Sequence, residues 1–120
     1  MMVLVDTSIW VTHLRQGSRQ LEKLLMDAEV MCHPFVIGEL ACGNLKNRHE
    51  IISLLQSLPM ALTIEFEEFL FFIDKNQLMG KGIGFVDIHL LASTQLTGIM
   101  LWTADKRLRS AADQLELTFK

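Results

Sequence analysis

Short strand-like runs punctuate this chain at wide intervals: Met2–Val5, Val30–Cys32, Leu62–Ile64, Ile99–Trp102 and an edge candidate at Leu115–Phe119. Between them lie stretches with helical periodicity. Strands separated by helices imply βαβ units, so the chain is predicted to be an α/β domain. Its sheet is mainly parallel and carries helices on both faces. The first run is unusual in how it stops, because Val5 is followed at once by Asp6, Thr7 and Ser8. Open parallel sheets put their ligand sites at the carboxyl ends of strands, which gives that acid a chemical meaning beside the ordinary one of a helix cap.

The helical segments carry their own start and stop signals. Ser18 is placed to cap a helix through Leu21, Leu24 and Leu25, with Glu22 near its start. Pro34 suits a first turn, after which Val36, Leu40 and Gly43 share a face. Asn47–Leu58 places Ile51, Leu54, Leu55 and Leu58 on one stripe, and Pro59 ends it. Glu65–Leu78 is acidic at its start, in keeping with the helix dipole. The flexible stretch "GKGIG" leads into a helix over Phe85–Thr97 that Gly98 terminates, and a last helix covers Arg107–Gln114. No repeat or linker divides the chain, and 120 residues suit one domain spanning 1–120.

Composition excludes several classes. A net charge of −3 argues against a broad basic face for DNA, although Lys46, Asn47, Arg48 and Lys106, Arg107, Arg109 form local patches. Cys32 and Cys42 sit in apolar surroundings and read as small core residues, not a disulfide framework. No signal peptide or membrane-length apolar window is present, so a cytoplasmic protein with no membrane association is expected. The four histidines and two cysteines lack zinc spacing, and "GKGIG" is not followed by the Ser or Thr of a phosphate loop. That loop leaves Lys81 near a nucleic-acid backbone as one use. His89 stands two residues after Asp87 and faces away from it.

Four acids interrupt the apolar pattern. Asp6 ends the first strand; Glu39 lies within "PFVIGELACG"; Asp87 sits in the first turn of "GFVDIHLLAS"; Asp105 follows "IMLW" just past a strand. Each has an ordinary reading alone. Asp6 and Asp87 suit helix starts, Asp105 a turn, and Glu39 an ion pair with Arg48 or a Lys. Brought to one sheet edge, four carboxylates repel one another unless a cation joins them. Oxygen donors of this kind suit hard divalent ions, and such a cluster can activate water against a phosphodiester.

The order "VDTSIW", "GEL", "GFVDIHLLAS", "LWTADKRL" resembles the successive motifs of PIN-domain ribonucleases, in particular the VapC-type toxins of toxin–antitoxin operons. The resemblance spans nearly the whole chain, with residues 47–81 carrying no motif. It implies a three-layer α/β/α fold around a short, mainly parallel sheet. It implies a Mg²⁺-dependent endoribonuclease, with Mn²⁺ as a substitute, that hydrolyses RNA by metal-activated water. Asp6 and Asp87 become the principal metal ligands. Glu39 and Asp105 bind a second ion or orient water, and Thr7 and Thr103 support the carboxylates. Ser8 falls in the motif without an assigned role. The implied partners are an RNA substrate, a second copy of the chain, and a cognate antitoxin whose C-terminal segment covers the groove. Operator DNA would be reached only through that antitoxin. "FEEFLFFIDKNQLMG" holds more Phe, Leu and Met than one helix face buries, which leaves core and interface both open.

Two other functions compete. A non-catalytic PIN-like interaction module would be expected to have lost acids that this chain keeps. A receiver-type Mg²⁺ signalling domain would need an acidic pair after the first strand, where Asp6 is followed by Thr7, and a phosphoacceptor Asp after a mid-chain strand, which is missing.

Overall fold

The computed structural model describes residues 1–120. The elements run β1 (Val3–Val5), α1 (Thr7–Gln16), α2 (Arg19–Met26), β2 (Val30–Met31), α3 (Pro34–Ala41), α4 (Arg48–Ser57), α5 (Phe66–Asn76), α6 (Phe85–Thr97), β3 (Met100–Trp102) and α7 (Lys106–Gln114). The sheet has three strands in the order β2-β1-β3, all parallel. Helices on its two faces complete an α/β/α sandwich.

β1 is the centre of the core. Val3, Leu4 and Val5 are fully buried, and two of the three are β-branched, which suits a strand covered on both sides. Val3 pairs with Val30 on one side and Met100 on the other; Val5 pairs with Trp102. Because all three strands run the same way, their carboxyl ends form one edge. The residues just beyond that edge are Asp6, Cys32–His33 and Thr103. The backbone N–H of Asp6 donates to the carbonyl of Trp102 at 2.9 Å, which fixes the ends of β1 and β3 side by side.

Several boundaries follow their local signals. The Ser18 hydroxyl accepts from Leu21 N–H, as expected of an N-cap. Gly98 takes φ 76°, the left-handed value that ends α6 without a side-chain clash. Four expectations fail. Cys42 is exposed and not a core residue, unlike the buried Cys32. Leu62–Ile64 is not a strand: the chain only touches the sheet at a Cys32–Met60 bridge, and Leu62 is exposed. Leu115–Phe119 likewise makes a single bridge, Leu101 to Thr118. The α4 stripe is only partly used, since Leu55 is buried while Leu54 points to solvent. The helix α1 is a gain, with Asp6 ahead of it and Gly17 behind.

Two buried helices are tied together by a histidine. His33 caps α3, its Nδ1 accepting from Phe35 N–H at 3.0 Å. That leaves the ring proton on Nε2, 3.0 Å from the Ser93 hydroxyl of α6. Burial pushes the His33 pKa down to about 4, with His89 adding to the shift. His89 itself is packed among the rings of Phe35, Phe69 and Phe85. Neither histidine is available as a zinc ligand, and the buried Cys32 thiol is pushed up to about 11 by burial.

Candidate active site

All four expected acids border the carboxyl edge of the sheet, each delivered by a different element. Asp6 is the floor, 6% exposed. Its extended backbone (φ −70°, ψ 157°) carries the chain from β1 into α1. Its carboxylate is heavily committed. Oδ1 accepts from Thr7 N–H at 2.7 Å, and Oδ2 accepts from the hydroxyls of Thr103 at 2.6 Å and Ser8 at 3.0 Å. A buried carboxylate without such donors would be costly, so the hydroxyls are what permits an acid at this depth.

The same hydroxyls reach the next loop. The Ser8 Oγ accepts from Ala104 N–H at 3.1 Å, and the Thr103 Oγ accepts from Asp105 N–H at 3.0 Å. Asp105 then caps α7, its Oδ1 accepting from Arg107 and Leu108 N–H. The ordinary capping role and a place in the acid cluster thus coexist in one residue. Ser8 is a structural member of the site, a role its sequence motif does not reveal. Its contact to Ala104 spans 96 positions and has no local signature.

Glu39 differs from expectation. It is exposed, because Val36 and Leu40 occupy the buried face of α3. Its partner is neither Arg48 nor a lysine: the Thr7 hydroxyl donates to Glu39 Oε1 at 2.6 Å. Arg48 instead reaches the carbonyl of Gly43. Asp87 is half-buried in the first turn of α6, where its Oδ2 accepts from Gly84 N–H at 3.3 Å. Its pKa is raised, chiefly by burial. The Gly84 bond opposes the shift, and the negative charges of Asp6, Asp105 and Glu39 add to it. Those three named charges place all four acids in one electrostatic neighbourhood.

No basic side chain neutralises them. The one ion pair in the chain joins the N-terminus to Glu29, at the amino ends of β1 and β2 and so at the opposite edge of the sheet from the site. Lys81 donates to Gln114 instead, which holds the loop before α6 against α7. The loop also meets α7 at Gly82, where a Cβ would come within 2.6 Å of the Arg107 guanidinium. The donor set is therefore all oxygen, net negative and unpaired, which suits a hard divalent cation. No three His, Cys, Asp or Glu side chains close on a single point.

Comparison with known proteins identifies the family and the fold. The PIN domain family model matches residues 3–114. Ribonuclease VapC32 of two Mycobacterium tuberculosis strains is 45% identical over 111 residues, covering 92% of this chain and 90% of the relative. The crystal structure of PAE2754 from Pyrobaculum aerophilum superposes with a TM-score of 0.62 at 16% identity, over 96% of this chain and 86% of that one, which supports the fold.

Proposed function

The chain belongs to the PIN domain family, a VapC-type member, and we propose that it is a metal-dependent endoribonuclease acting as the toxin of a toxin–antitoxin pair. The observation that carries the reading is the cluster of Asp6, Glu39, Asp87 and Asp105, held by hydroxyls and backbone N–H groups and matched to no cation of the protein. A Mg²⁺ ion held by Asp6 and Asp87, or Mn²⁺ in its place, would supply polarisation of the attacking water and neutralisation of charge at phosphorus.

The protein's own part is positioning. Thr103, Ser8 and Thr7 N–H fix the Asp6 carboxylate before substrate arrives, so little reorganisation is needed at the moment of reaction. Thr7 holds Glu39 over the opposite rim. Asp105 is kept in place by the first turn of α7, with Oδ1 spent on the cap. Glu39 and Asp105 are the more exposed pair and suit the outer role of orienting water.

The partner assignments rest on the same reading. A homodimer is supported by the face of α5, where Phe66, Leu70 and Phe71 are 61%, 46% and 66% exposed while Phe69 and Phe72 fill the core. An antitoxin covering the groove, and operator DNA reached through it, complete the proposal. No helix is long and apolar enough to cross a membrane. The test is cleavage of a labelled structured RNA by partner-free protein in Mg²⁺, in Mn²⁺ and in EDTA. Cutting in both metals and none in EDTA is expected; cutting that survives EDTA overturns the metal-dependent reading.

A further inference from the structure

Beside Glu39 a groove of about 600 Å³ opens between α1, the end of α3 and the start of α4. Apart from Glu39, which lines it, no residue of the hydrolytic site belongs to it. One wall is aliphatic, formed by Val11, Leu14 and Ile51. Arg15 and Lys46 also line it, and neither pairs with an acid. Asn47 is the third polar feature. It precedes α4 in the left-handed conformation (φ 54°, ψ 44°), and its side chain makes no capping bond. A residue type well suited to capping therefore leaves its amide uncommitted in the lining of the groove.

We infer that this groove holds the RNA nucleotide next to the scissile phosphate, an assignment that rests on the ribonuclease reading. The charges favour a polynucleotide. Two unpaired cations flank a wall with no aromatic ring, so a base would lie against Val11, Leu14 and Ile51 while its phosphate meets Arg15 and Lys46. The free amide of Asn47 carries both donor and acceptor, which a base edge can use. The volume falls within the ordinary range for a site of nucleotide size. Glu39 stands at the end of the groove, so a strand seated there runs directly to the acid cluster. In a net acidic protein, a pair of cations here supplies the local attraction that the whole surface lacks.

The test measures binding of a short fluorescent single-stranded RNA to the full chain in EDTA over a salt series. Arg15→Gln and Lys46→Gln are each expected to flatten the dependence of log K on log salt by about 0.7, the value of one lost phosphate contact on a single strand. Lys75→Gln, at the end of α5 and outside the groove, should leave the slope unchanged. Asn47→Gly suits the left-handed backbone and removes only the amide. It should keep the slope yet narrow the spread of affinities across the four homopolymeric RNAs. Unchanged slopes in both cation variants, or an equal loss in the control, overturn the assignment. So does intact RNA binding by variants that have lost binding of a protein partner instead. Binding is read without divalent metal, so a wild type that binds but never cuts counts against the ribonuclease, not the groove.

Discussion

Thr103 and Asp6 stand 97 positions apart in sequence, yet the threonine hydroxyl donates to the Asp6 carboxylate at 2.6 Å. Both groups are buried. The contact joins the ends of β1 and β3 and fixes the acid at the floor of the site. Thr103→Val keeps the shape and removes the donor. It is expected to destabilise the fold by about 1–3 kcal/mol, the cost of an under-satisfied buried carboxylate. Activity should fall by roughly 10–100-fold through loss of a supporting partner. Thr103→Ser should recover most of both. Urea denaturation and RNA cleavage check the two effects separately.

Asp87 should show function set against stability. Its pKa lies above the ordinary 3.8 because burial and three neighbouring acids disfavour its charge. The folded state therefore binds this proton more tightly than the unfolded state. Stability from this group is present below the ordinary carboxylate pKa and is lost as pH rises through the raised value. Asp87→Asn removes that loss. In EDTA at neutral pH the variant should melt at or above the wild type while cleavage disappears. Added Mg²⁺ should raise the melting temperature of the wild type more than that of the variant.

His33 gives the opposite sign at a different place. Its folded pKa of about 4 lies below the ordinary 6.5, so the unfolded chain takes up the proton first as pH falls. Stability declines from about pH 6.5 and levels out near pH 4. The full span is worth about 3 kcal/mol at 1.36 kcal/mol per pH unit. The charged form cannot accept from Phe35 N–H, so the cap of α3 is lost while Nε2–H still donates to Ser93. His33→Asn should flatten that part of the stability–pH curve. Thermal melts in a pH series would show it.

The exposed face of α5 should control assembly. Phe71 is 66% exposed and makes no part of the core. Phe71→Asp is expected to leave the fold within about 0.5 kcal/mol of the wild type, as for other surface changes. It should shift the protein from dimer to monomer in light scattering. An unchanged mass would place the dimer contact elsewhere.

Much of this was legible before the structure, for reasons that can be named. Phe85–Thr97 has a glycine at each end and a dense apolar run, and α6 keeps those bounds. Asp6 directly follows one apolar strand and Asp105 stands three residues past another, so both acids stand out against the apolar pattern. Leu62–Ile64 failed as a strand because three residues carry too little pattern to separate an edge contact from a loop. The exposure of Glu39 is not legible in "PFVIGELACG", because its flanking apolar residues sit on the other side of the helix. Thr7, its true partner, lies 32 positions away. Ser8 had no local signal either, since its contacts are made only when β1 and β3 lie together. Helical periodicity reports what faces the core; it does not report which hydroxyl an acid will meet across the sheet.

The proposed function stands on Asp6 as the anchor of a hydrolytic metal site. Its most direct test is the cleavage rate of Asp6→Asn on a labelled RNA in Mg²⁺, beside wild type and with both proteins shown folded by circular dichroism. A loss of more than about 100-fold is expected, exceeding that of a merely supporting partner, together with loss of the Mg²⁺-induced rise in melting temperature. A folded Asp6→Asn protein that cuts RNA at the wild-type rate would contradict it.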